Sequence, residues 1–130
     1  MHAEQVIVRF FNAENGKPIR FRTAASIWVG DAASPVVHAT DSNGEIALSI
    51  TQAPFHEIRM LPDFPLTNRR IEDQAPPACE TYQIAEILWA GIVSNRVFEG
   101  AVVPPQPGVL AIYLREKSNV ERLREEGLLP

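Results

Sequence analysis

Asp41-Ser42-Asn43-Gly44-Glu45-Ile46-Ala47-Leu48-Ser49-Ile50 is the stretch that decides the fold class. Its first four residues are a reverse-turn signal. An Asp side chain can bond its own backbone two residues on, and Gly takes positive φ without a Cβ penalty. After the turn Ile46, Leu48 and Ile50 alternate with Glu45, Ala47 and Ser49. That period of two puts one apolar face on a strand. The short run Val36–Thr40 precedes the turn, so the two segments are expected to pair as a β-hairpin.

Working outward, the same period recurs. In Gln5-Val6-Ile7-Val8-Arg9-Phe10-Phe11, Val6, Val8 and Phe10 share one face. Asn15-Gly16 then allows a reversal. Thr23–Val29 reads as a strand with Ala25, Ile27 and Val29 alternating with Ala24, Ser26 and Trp28, followed by a small-residue loop to Pro35. Phe55–Leu61 is the next strand and Val109–Arg115 the last, with Leu110, Ile112 and Leu114 on one side. Val6, Val8, Ile27, Val29, Ile46, Leu48, Ile58, Ile112 and Leu114 are therefore the expected core.

Between these strands lie less regular segments. Pro62–Ala78 is long and charged, and loops of that length in compact domains usually carry function or cover an edge. Tyr82–Ala90 reads as a helix, with Ile84, Ile87 and Leu88 on one stripe, Thr81 as N-cap and Gly91 as stop. The stripe must dock, either on its own domain or on a partner. Ile92 and Val93 lead into an irregular stretch through Pro104-Pro105-Gln106-Pro107. Ser118-Asn119-Val120-Glu121 is a capping box opening a short tail helix, in which Arg122 and Glu126 are placed to pair and Gly127 to stop.

Composition agrees with one folded domain over residues 1–130. At 45% apolar and 22% charged residues, the chain has the hydrophobicity to fold. A net charge of -4 argues against a nucleic-acid partner. The 11 prolines imply ordered loops and edges. No apolar run is long enough to span a bilayer, and the polar opening Met1-His2-Ala3-Glu4 does not read as a signal peptide. The expected architecture is an antiparallel Greek-key β-sandwich of about six to seven strands, with one short internal helix and a short C-terminal helix.

Val6–Ile50 joins a strand, Asn15-Gly16-Lys17-Pro18-Ile19, a second strand and Thr40-Asp41-Ser42-Asn43-Gly44-Glu45-Ile46. This pattern resembles the transthyretin-like (prealbumin-like) and carboxypeptidase-regulatory-like β-sandwich domains. Their members often carry a G-x-P-I/L after the first strand and a T-D-x-x-G before a later one. The resemblance implies an accessory, adhesive or ligand-carrying module, secreted or periplasmic. One enzymatic branch, the 5-hydroxyisourate hydrolases, uses His and Arg residues with a C-terminal Tyr-Arg-Gly-Ser. This chain has Tyr113-Leu114-Arg115-Glu116 instead, and no His beside Val6, so no catalytic residue is carried over.

The remaining polar and aromatic residues define candidates. Cys79 stands alone without a neighbouring cation or His, and reads as a half-buried small hydrophobe. His38 and His56 would need a third ligand to hold metal. Asp63, Glu72 and Asp73 with Arg69 and Arg70 read as a solvated loop rather than an acid–base pair. Asp41, Asn43 and Glu45 read as a turn rather than a calcium loop. No cofactor, metal or catalytic group is expected. The candidate binding surface is Trp28, Tyr82, Trp89, Arg69 and Arg70. An outward Trp28 would stack on a sugar or a partner protein, unless the helix covers it. The leading expectation is a non-enzymatic binding or structural module with a protein or carbohydrate partner, self-association remaining open. The alternatives are a carbohydrate-binding module built on Trp28 and a small hydrolase using the polar loop.

Overall fold

Two sheets bring their apolar faces together, as the period of two requires. The computed structural model of the chain describes residues 4–50 and 56–128. Among these the order is β1 Glu4–Asn12, β2 Ala25–Val29, β3 Glu45–Ile50, β4 Glu57–Pro62, β5 Leu66–Thr67, β6 Glu80–Gln83, α1 Ile84–Trp89, β7 Ile92–Ser94, β8 Val109–Glu116 and α2 Asn119–Glu125. Phe55, the expected start of the fourth strand, lies outside the described residues. The larger sheet runs β3-β1-β8-β5, with β7 also on β8; the smaller runs β2-β4-β6.

The mainly β sandwich stands, with one refinement. The smaller sheet is antiparallel throughout, as are the β1–β3 and β5–β8 pairs. However, β8 runs parallel to both β1 and β7. Parallel partners are joined by long crossovers, so no local turn announces them. Strands β5 and β7, of 2 and 3 residues, are too short to register a period.

Between the sheets lies one apolar cluster. Val6, Val8, Ile27, Ile46, Leu48, Ile58, Ile112 and Leu114 are all buried in it, and Val29 packs against it partly buried. This is the set that strand alternation selects.

The hairpin expected around Asp41–Gly44 is not formed. The turn itself is there: the Asp41 carboxylate accepts from the amides of Asn43 and Glu45 at 2.8 and 2.9 Å. Yet β3 pairs with β1, Val6 standing opposite Leu48. Residues 36–39 form no strand; Val36 and Ala39 make single bridges to Ile27 and Thr23. The turn thus passes the chain from one sheet to the other. Gly44 is needed there, since a Cβ on it would lie 2.9 Å from the Phe10 carbonyl oxygen.

The internal helix is shorter than its pattern. Tyr82 belongs to β6, opposite Ile58, and Thr81 lies in the same strand, so neither starts the helix. Gln83 is the N-cap, but its side chain makes no capping bond and donates instead to Glu57 at 3.0 Å. Ile84 and Ile87 are fully buried and Leu88 packs beside them, so the apolar stripe docks inside its own domain. At the far end Gly91 has φ +81, and a Cβ there would lie 2.1 Å from the Gln106 carbonyl oxygen. Only glycine lets the proline loop return this close to the helix end.

Helix α2 has the expected capping box, Ser118 accepting from Glu121 and Glu121 reaching back. Gly127 and Leu128 close it by donating to the carbonyls of Arg124 and Leu123. Glu126 does not pair with Arg122, whose guanidinium lies 5.4 Å from the Phe64 ring centroid.

Candidate functional site

The side chains of β8 that point away from the main core build a second apolar layer. Tyr113 is 2% exposed although it lies on the outer face of the larger sheet. Its ring stacks on Phe11 and Phe98, both with centroids 5.0 Å away. Val93, Val97 and Val103 pack around them. The Tyr113 hydroxyl accepts from the Val103 amide at 2.9 Å. Asn95 shapes the covering loop: its Oδ1 accepts from the amides of Val97 and Phe98, and its Nδ2 donates to the Phe98 carbonyl.

Beside this layer opens a polar groove of about 930 Å³, within the range of ligand sites. Its walls come from the turn after β1, the loop around Arg70, the loop 95–100, the end of β8 and the start of α2. Cations from Arg70, Arg96, Arg115, Lys117 and Arg122 line it together with carboxylates from Glu14, Glu72, Glu99 and Glu116. The near balance of charge suits a partner of mixed charge better than a polyanion.

The groove walls are tied together by hydrogen bonds. Arg115 donates to the Arg69 carbonyl and, bidentately, to Glu121 at 2.7 and 2.8 Å. These bonds, helped by Ser118 and partly offset by burial, hold the Glu121 carboxyl down at about 2 from its ordinary 4.5. Lys117 is buried and pairs with Glu125, which fastens the far turn of α2. The Arg70 Nε donates to the Arg96 carbonyl, joining the two loops.

The long segment 62–78 is therefore pinned. Leu66 and Thr67 add a short strand to β8. Buried Asn68 donates to the Ala78 carbonyl at 2.9 Å and accepts from the Ala78 amide at 2.8 Å, closing the loop. Asp63 accepts from Ser26, and Glu72 lies 3.9 Å from Arg70 with both side chains well exposed.

The residues of the expected binding surface are dispersed. Arg70 lines the groove. Arg69 does not, its Nε bonding the Pro76 carbonyl. Tyr82 is buried and donates to Ser94 Oγ at 3.0 Å; burial pushes its hydroxyl up to about 12 despite that bond. A strand period at Glu80–Gln83 turns its ring inward. Trp28 lies half-buried on the smaller sheet, with the Arg59 guanidinium 5.6 Å from its ring centroid. Trp89 is 85% exposed at the end of α1. Cys79 is exposed rather than half-buried, sharing the outward phase of Thr81.

His38 and His56 are both exposed. Among the described residues no three His, Cys, Asp or Glu side chains gather to hold a metal ion. Likewise, no helix among them is long and apolar enough to cross a membrane. Sequence reading missed Arg96, Arg122, Asn95 and Phe98 as groove residues. For Asn95, Arg96 and Phe98 the one signal was the irregular stretch after Val93, whose Asn95 is a turn former, while Arg122 reads in sequence only as a helix residue placed to pair with Glu126. Comparison with protein-family models, with curated proteins and with solved structures finds no match.

Proposed function

We propose that this chain is a non-enzymatic binding module of transthyretin-like fold that takes a segment of a partner protein in the polar groove beside α2. The observation that carries this reading is the groove itself: several separate chain segments, cross-tied by Arg70 and Arg115, converge on one concave surface of nearly balanced charge. Converging polar groups on a firm scaffold are what a recognition site requires. An extracellular or periplasmic setting accords with the family resemblance.

Carbohydrate stacking on Trp28 has less support, because Arg59 already occupies the neighbourhood of its ring. A hydrolase on the 62–78 loop has less support too, since Glu72 is exposed beside Arg70 and Asp63 is engaged by Ser26.

Selection of a displayed random-peptide library on the immobilised protein tests the proposal. Enriched peptides should lose about tenfold or more in affinity against Arg122→Glu. The same variant should keep its thermal midpoint. Enrichment of nothing, or peptides indifferent to Arg122→Glu but lost on Trp28→Ala, would overturn the assignment.

A further inference from the structure

The geometry points to a second interaction surface: the free edge of β3, which pairs with the same edge of a second copy of this chain around a two-fold axis at Leu48. Phe10 donates to the Gly44 carbonyl at 2.9 Å. In an antiparallel ladder such bonds recur at every second residue. Ile46, Leu48 and Ile50 therefore bond to β1, and the main-chain groups of Ala47 and Ser49 point the other way. No strand among the described residues lies on that side of β3.

Among the described residues this edge lacks the usual protection. Natural edges are blunted by lysine, proline, a bulge or a covering loop. Between Ile46 and Ile50 there is no charge and no proline. Ala47 and Ser49 are exposed. The edge of β2, by contrast, is partly closed by a reciprocal bond pair between Ile27 and Val36.

The occupant follows from the sequence of the edge. Ile46-Ala47-Leu48-Ser49-Ile50 is nearly palindromic about Leu48. In a two-fold antiparallel pairing Ile46 stands opposite Ile50, Ala47 opposite Ser49 and Leu48 opposite itself. Ala47 exchanges both main-chain bonds with the partner subunit's Ser49, and Ser49 with the partner's Ala47. Small residues meet small ones on the outer face. The one carboxylate at this end, Glu45, lies three residues before the axis at Leu48 and so does not stand opposite its own copy, and like charges do not confront each other. An isologous contact of this kind closes at two subunits. One short strand pair lies below the roughly 1,200 Å² of a standard interface, so the dimer is weak and concentration-dependent.

Sedimentation equilibrium of the full chain from about 10 μM to 1 mM reads this directly, a range suited to small interfaces. The chain is expected to pass from monomer toward dimer and no further. Ala47→Pro removes an outward N–H where an edge strand tolerates proline, and Ser49→Lys places a charge on the edge. Both variants should remain monomeric across the range with an unchanged thermal midpoint. Ser49→Lys keeps the test decisive should proline disturb the strand. A parent chain that stays monomeric at 1 mM, one that grows beyond a dimer, or variants that dimerise like the parent would overturn the inference.

Discussion

Strands β8 and β3 belong to the same sheet and differ in how much of them is enclosed. β8 has β1 on one edge and β7 with β5 on the other, the main core on one face and the Phe11–Phe98 layer on the other. Among the described residues β3 has a partner on one edge only, and of its side chains Ile46, Leu48 and Ile50 face a core. Their sequences carry the contrast. Val109-Leu110-Ala111-Ile112-Tyr113-Leu114 is almost continuously apolar, the mark of a strand buried on both faces. Ile46-Ala47-Leu48-Ser49-Ile50 alternates, the mark of one wet face. A strand's run of residues thus reports its surroundings as well as its conformation.

The contrast is broken most forcefully at Tyr113. Tyr113→Ala empties a site on the outer face of β8 and should cost about 3–5 kcal/mol in urea unfolding, as for core aromatics. A loss below about 1 kcal/mol would mean that the outer layer is only a loop lying on the sheet.

Next in size is the pair Leu48→Ala and Ser49→Ala, adjacent on β3. The first should cost about 2–5 kcal/mol and the second under about 0.5. Similar losses for the two would put the strand in the wrong phase.

This much was legible from the sequence: the strand periods, the core set and the capped tail helix all follow from local patterns. What was not legible was long-range. The turn at Asp41–Gly44 is visible, but nothing local says whether the chain after it pairs backward or crosses to the other sheet. Tyr82 fits a helical stripe and a strand period equally well, and its pairing with Ile58 decides. The groove was hidden for the same reason, because Arg70, Arg96 and Arg122 meet only in three dimensions.

A smaller effect distinguishes the ends of β8. At its C-terminal end Arg115 holds the Glu121 carboxyl at about 2, below its ordinary 4.5. A depressed carboxylate contributes stability at pH above its unfolded value and loses it as pH falls toward the folded one. Acid should therefore weaken the chain progressively between about pH 5 and pH 2, and Glu121→Gln should flatten part of that slope. An identical acid profile for the variant would place α2 away from Arg115.

The smallest change tests the loop between β1 and β2. Phe21 is 72% exposed and held at φ 54, a region that bulky residues enter at a cost. Phe21→Asn, which tolerates that conformation, should raise stability by about 0.5–1 kcal/mol. A loss instead would reveal a packing role for the ring.

Native-state amide hydrogen exchange in dilute solution measures the enclosure of the two strands directly. Amides of Leu110, Ala111 and Ile112, which stand between β1 and β7, should exchange only through global unfolding. On β3 protection should alternate, slow at Ile46 and Leu48 and near-free at Ala47 and Ser49. Uniform protection along β3, or rapid exchange at the centre of β8, would contradict the arrangement of strands on which the rest depends.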